Sequence, residues 1–283
     1  VRALAEFIMR GRAPASVVAL LGSWFPLISP AAVALVTLRR GLSDGVIVLL
    51  WALLPALATL VVSDLGPFMA LVTVAGLLTT YWVALLLRSG NDWSRALMGL
   101  VALSTLSGLL LAQLVPDPVA GITEALGDIL KQIQAEANTE QATALPGDGF
   151  VIGLVCYVIA VNAVLSIVLA RWWQATLYNP GGFQQEFHQL RLNPIQGVAC
   201  FAAVIYCWSQ GGDYQTWSSL FALPLLLVGI AIVHHTVKVR AISGQWLVLF
   251  YIALLLFSPL TVLLVTLAVM DTWTNFRARI QPK

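Results

Sequence analysis

The chain has 283 residues, of which 59% are hydrophobic and 10% charged, and its mean hydropathy is +0.88. Soluble domains average about 45–50% apolar and about 25% charged residues, so 15 Lys/Arg and 13 Asp/Glu are too few to solvate one or two water-soluble domains. High hydropathy excludes disorder, and a net charge of +2 with dispersed basic residues gives no nucleic-acid footprint. The composition predicts an all-α polytopic integral membrane helical bundle whose first partner is the lipid bilayer.

A helix needs about 20 apolar residues to cross about 30 Å of hydrocarbon. Charge-free runs of that order lie at 13–38, 45–63, 65–87, 96–116, 149–170, 192–212, 214–237 and 241–270. In the first run Ala32-Val33-Ala34 resembles a signal cleavage site, but apolar residues continue through Leu35 to Leu38, which reads as a membrane anchor. The first and last runs are long and contain Pro26 and Pro30, and Pro259. Proline lacks an N–H and clashes with the preceding turn, so it bends a span or separates two short ones.

Charge placement decides between these readings, because cytoplasmic loops concentrate Lys and Arg. Eight unbroken spans divide the basic residues seven to eight across the membrane. Splitting both proline-containing runs gives ten spans and leaves only Lys131 outside, with 14 basic residues inside. Ten spans with both termini cytoplasmic is the favoured layout. The short helices then run over about 4–25, 27–38, 241–258 and 259–276. Trp24, Trp93, Trp172, Trp173, Trp208, Trp217, Trp246 and Trp273 fall near span ends, where an indole sits well, and Trp51 and Trp82 lie deeper as lipid-facing or packing residues.

Two segments are not spans. Residues 117–148 carry six acids against Lys131, and Val119, Ile122, Leu126, Ile129, Leu130 and Ile133 form one apolar stripe. This predicts an external amphipathic helix over about 119–137, acting as a connector or a docking element. Residues 171–194 form a cytoplasmic interfacial elbow, broken at Asn179-Pro180-Gly181-Gly182. There Phe183, Phe187 and Leu190 share a face, and Glu186, His188 and Arg191 are the titratable or charged groups.

Motifs for known chemistry are sparse. There is no Walker A sequence, dinucleotide fingerprint, Cys-x-x-Cys or His-Glu-x-x-His. Cys156, Cys200 and Cys207 lie within apolar runs as small buried hydrophobes. His234 and His235 are adjacent and point about 100° apart on a helix, so they need a third group to hold a metal. Neither a metal nor a cofactor is predicted. The best intramembrane polar site is Asn162 with Ser166 one turn on. At the C-terminus Asp271 and Asn275, and Trp273 and Arg277, share helical faces at i, i+4. With Glu186, His188 and Arg191 on the same side, a cytoplasmic ionic latch is expected, Asp271 pairing with Arg191 or Arg277.

Three stretches resemble the YybS-like family of bacterial inner-membrane proteins, whose biochemical role is unassigned. They are Pro30 through Leu38-Arg39-Arg40-Gly41, the Glu186-Phe187 to Leu190-Arg191-Leu192 elbow followed by proline, and Leu227-Val228-Gly229-Ile230-Ala231 together with the terminal Met270-Asp271-Thr272-Trp273-Thr274-Asn275-Phe276-Arg277. The resemblance implies an inner-membrane location. It also implies a fold related to the substrate-capture subunits of energy-coupling-factor transporters and to the cell-shape protein MreD. Capture subunits use an Ala-x-x-x-Ala pair to approach a coupling partner, and Ala15 and Ala19 have that spacing. The expected function is that of a non-enzymatic membrane scaffold or subunit of an envelope or transport assembly, possible partners including another membrane protein. The alternative is a solute-binding or transport component with a cavity lined by Asn162, Ser166 and aromatic groups.

Overall fold

The computed structural model describes residues 2–62, 67–90, 92–114 and 147–279, and all regular structure among them is helical. The elements are α1 (Arg2–Met9), α2 (Arg12–Leu21), α3 (Ile28–Arg40), α4 (Leu42–Val62), α5 (Pro67–Gly90) and α6 (Trp93–Leu114). They continue with α7 (Asp148–Tyr178), α8 (Gly182–His188), α9 (Pro194–Gln210), α10 (Gln215–Val239), α11 (Gln245–Leu256), α12 (Ser258–Thr274) and α13 (Phe276–Arg279). The acidic helix expected over 119–137 lies outside the described residues.

Five helices are long and apolar enough to cross a membrane, and a sixth candidate is the α11–α12 pair, bent by 110°. This is the make-up of a multi-pass membrane protein. Both proline-containing runs are broken, as the charge argument required. In the first, the chain leaves α2 through a 3-10 turn over Gly22–Trp24, and Leu27 adopts a left-handed conformation (φ 67°) immediately before α3. In the second, Phe257 is the hinge and Pro259 sits in the first turn of α12.

The expected single helix over 4–25 is two helices. Gly11 is fully extended between α1 and α2, so a short amphipathic α1, with Ala5 and Ile8 buried, packs beside the hairpin instead of continuing into it. The elbow also begins later than 171. No breaker precedes Asn179, so α7 runs for 31 residues and carries Arg171 to Tyr178 within it. Gly181 (φ +84°) then turns the chain into α8, and the Asn193–Gln196 capping box with Pro194 starts α9.

The helix hairpin α2–α3 occupies the middle of the fold. At 1.5 Å per residue, the 10 residues of α2 and 13 of α3 rise about 15 and 20 Å, short of the roughly 30 Å of hydrocarbon. Yet residues 31–38 of α3 are all buried, against α2, α4, α5 and α7. A helix apolar on all sides belongs inside a bundle. Both ends of the hairpin lie at one end of the molecule, because Arg12 on α2 and Arg40 on α3 both reach Asp44 on α4, at 2.6 and 3.6 Å.

That end is a basic face. Arg40 donates to Met9 O, and Arg88 donates to Leu38 O at 2.8 Å. Arg39 lies over Tyr178, Arg171 pairs with Glu186, and Arg277 donates to His188 O. At the opposite end, Thr216 and Trp217 donate to Phe150 O and Gly149 O. The charges nearby there, among the described residues, are Asp148 and Asp213.

Two close helix approaches depend on glycine. A Cβ on Gly229 would stand 2.7 Å from the Leu264 carbonyl oxygen, and one on Gly197 would stand 2.6 Å from a Thr272 methyl carbon. Gly229→Ala therefore forces α10 and α12 apart and is expected to lower unfolding stability by about 1–3 kcal/mol. Gly212→Ala, with open space around it, is expected to melt with wild type in detergent.

Candidate functional site

Two sites stand out. The first is a cavity of about 310 Å³ at the tip of the α2–α3 hairpin. Its floor is the tip itself, Ser23, Phe25, Pro26, Leu27, Ser29 and Pro30, and its walls come from α4, α5 and α7. With the hairpin rising only part of the way from the basic face, the cavity lies between the two ends of the long helices. Irregular backbone inside a helical bundle is tolerated where it lines a cavity, and the tip does so, with Gly22 and Ser29 buried and Ser23 to Pro26 exposed.

The polar groups of this cavity are almost all committed. Ser23 Oγ donates to Leu20 O, Ser29 Oγ to Ala19 O at 2.6 Å, and Thr73 Oγ1 to Met69 O. Asn162 differs, because its side-chain amide has no hydrogen-bond partner among the described residues. Among the described residues, no charged side chain lines the space. The cavity therefore presents apolar walls, the Phe25 ring and one amide able to donate and accept.

Ser166 does not join Asn162. Its hydroxyl is fully buried and donates to the Asn162 carbonyl oxygen at 2.7 Å, closing a turn of α7 without facing the cavity. Ala15 and Ala19 do make helix contacts, but within this chain. Both are 0% exposed, and α2 is covered by α3 and α4, so the pair is not open to a separate coupling subunit.

The second site is the side-chain network of the basic face. Asp271, fully buried, lies 3.8 Å from Arg191 Nε and 3.5 Å from Arg277 Nη2. Arg191 also donates to Asp271 O and Thr272 O, and Arg277 to His188 O and Leu190 O. The two guanidiniums thus tie the end of α12 to the elbow. Asp271 Oδ1 accepts from Phe276 N, while Oδ2 has only its ionic partners.

Asn275 is not a partner in this network through helical spacing. It takes a left-handed conformation (φ 47°) and terminates α12, so Arg277 stands on α13 and the expected Trp273–Arg277 face does not form. Glu186 belongs to another cluster. Its carboxylate takes both Nε and Nη2 of Arg171 and lies 3.4 Å from Trp93 Nε1. Sequence reasoning missed this pairing, although Asn179-Pro180-Gly181 is the turn that folds α8 back on α7. Trp173, near the end of α7, is 2% exposed and packs inside the protein.

All three histidines meet at the elbow. The His188 ring lies 6.5 Å from that of His234 and 5.8 Å from that of His235, and His234 Nε2 is 2.8 Å from Tyr251 Oη. No group of three or more His, Cys, Asp or Glu among the described residues is arranged to hold a metal ion. Instead, burial together with His235, His234, Lys238 and Arg277 pushes the His188 pKa down to about 4.

No family model, curated protein or solved structure matches the chain. Its class is therefore stated from its own architecture: a helical chain with several membrane-length apolar helices, a short hairpin whose second helix is buried and a cavity at the hairpin tip.

Two outcomes follow. Asp271→Asn keeps the acceptor for Phe276 N but leaves two arginines without their carboxylate. Unfolding stability in detergent is expected to fall by about 3 kcal/mol, the low end for a broken buried pair because Arg191 remains 35% exposed. His188 is depressed in the folded state, so the unfolded chain takes up its proton first. Stability is therefore full above about pH 6.5 and declines as pH falls toward 4. A pH series of melting curves should show this decline, and His188→Gln should flatten it.

Proposed function

We propose that this chain is a non-enzymatic, multi-pass protein of the bacterial cytoplasmic membrane that holds a small uncharged solute, as the binding component of a transport assembly. The observation that carries this reading is the cavity at the hairpin tip, whose one uncommitted polar side chain among the described residues is Asn162. Its 310 Å³ falls at the small end of ligand pockets, which span about 300–1,000 Å³ and combine apolar walls with a few placed polar groups. Absence of charge among the described lining residues disfavours an ionic ligand, since an unpaired ion there would lose its hydration without compensation.

The basic face is the cytoplasmic one by the positive-inside rule. In that layout the ten segments comprise the five membrane-length helices (α4, α5, α6, α7 and α10), the shorter 17-residue α9 as a further crossing, and two pairs, α2–α3 and α11–α12, that enter and leave by the same face. The resemblance to the YybS-like family, and through it to capture subunits, supports the same reading.

The assembly-subunit reading rests on α11. That helix is apolar throughout and buries none of its residues, so either lipid or another membrane protein covers it.

Native mass spectrometry with metabolite extraction on the purified chain tests the proposal. Wild type is expected to retain a neutral small molecule, and Asn162→Leu to lose it while keeping its melting temperature within a few degrees. An empty wild-type cavity together with a stoichiometric membrane protein would transfer the conclusion to the assembly reading.

A further inference from the structure

A second pocket, of about 280 Å³, opens on the basic face between the end of α3, the end of α7 and the start of α8. Its chemistry differs from that of the central cavity. Arg39, Arg171, Gln174, Asn179 and Glu186 line it, with Phe183 and Tyr178 as apolar walls. Glu186 is taken up by Arg171, and Arg171 Nη1 donates to Gln174 Oε1 at 2.8 Å. Arginine has only donors, so this bond fixes the Gln174 amide with its NH₂ group directed away from Arg171. Arg39 has no carboxylate partner among the described residues, and its guanidinium lies 4.3 Å from the centre of the Tyr178 ring. Stacking holds the planar group in place without consuming its N–H donors.

The described lining of the pocket therefore carries a net single positive charge, with spare donors on Arg39 and Gln174. Asn179 adds a second amide, which the absence of a Cβ on Gly182 lets lie against the turn. An arginine fork with flanking amides is suited to a phosphate oxygen cluster. Depth narrows the source. Tyr178 and Arg40 end helices that rise from the apolar interior, which puts the pocket at headgroup level, and basic pockets between helices at this level bind anionic lipid headgroups.

We infer that this pocket binds a phosphate group, with Arg39 as the anchoring cation and the Gln174 amide as second donor, and that the phosphodiester of an anionic phospholipid supplies it. A diester carries one negative charge, matching the single uncompensated positive charge of the pocket. The inference does not depend on the central cavity holding a solute.

The test uses the full chain purified in a neutral detergent, with thermal unfolding and native mass spectrometry after addition of phosphatidylglycerol, phosphatidylcholine or inorganic phosphate. Phosphatidylglycerol is expected to raise the melting temperature and to remain bound in one copy, and phosphatidylcholine is expected to do neither. Arg39→Gln should weaken phosphatidylglycerol retention roughly tenfold or more, the factor set by one lost hydrogen bond to a charged group. Gln174→Glu should do the same by cancelling the net charge, whereas Arg95→Gln, an exposed arginine on the same face, should behave as wild type. Protection by inorganic phosphate equal to that by phosphatidylglycerol would support the phosphate site and assign its source to the free anion. Equal protection by both lipids, or unchanged retention in Arg39→Gln and Gln174→Glu, would overturn the proposal.

Discussion

A hairpin too short to cross the membrane must satisfy its own backbone where no water is available. This constraint organises the molecule. The last carbonyls of α2 and the first amides of α3 meet at the tip, where each unmade hydrogen bond would cost several kcal/mol in hydrocarbon. The tip meets the demand locally. Gly22 N donates to Val18 O, Phe25 N to Gly22 O, and the Ser29 hydroxyl reaches across to Ala19 O. Glycine at position 22 lets the Ile28 side chain fold over the turn, since a Cβ there would stand 2.7 Å from it. Once the tip is closed in this way, the volume above it is left for α4, α5 and α7 to line, and a cavity is the geometric remainder.

The basic face solves the converse problem. Helices that stop at a membrane surface leave carbonyl groups without partners, and arginine supplies several donors on a long arm. Arg88 takes Leu38 O, Arg40 takes Met9 O, Arg191 takes Asp271 O and Thr272 O, and Arg277 takes His188 O and Leu190 O. Most of these arginines are therefore structural as well as topological. They join helix ends distant in sequence, and a Lys with its compact ammonium would not span two carbonyls in the same way. Arg39, stacked on Tyr178, stands apart because its donors are left over.

Much of this was legible in the sequence. Charge bookkeeping broke both proline-containing runs, because the unbroken layout put Arg39, Arg88, Arg171 and Arg240 on the side opposite Arg12 and Arg277. The Asp271 neighbourhood was legible from unlike charge on a shared face, and the stripe of Phe183, Phe187 and Leu190 gave the elbow its buried side. What escaped was set by single backbone conformations. The extended Gly11 divides the first helix, and the left-handed Asn275 moves Arg277 off the helix that spacing alone had given it. Pairings across a turn escaped too. Arg171 and Glu186 are 15 residues apart, and only the fold-back at Gly181 brings them together. Ser166 shows a further limit, since i, i+4 spacing on one helix does not distinguish a hydroxyl facing a cavity from one bonded to its own backbone.

The two pockets are not independent, because the same two helices run between them. α3 carries Ser29 and Pro30 at the central cavity and Arg39 at the basic face, and α7 carries Asn162 and then Gln174. The faces between are lined with small residues, Ala31, Ala32 and Ala34 on α3 and Ala160, Ala163 and Ala170 on α7, all fully buried. Small residues permit close backbone approach and leave few rotamers to absorb a displacement. A shift of α3 at one end is therefore carried to the other as rigid translation. Coupling between the sites needs two arrangements of this pair with different affinities. The hinges that would permit them are visible, at the left-handed Leu27 beside the cavity and at Gly41 (φ +97°) beside Arg88. A ligand held in the basic-face pocket would fix that end of α3, leaving its freedom at the tip, which is the floor of the central cavity.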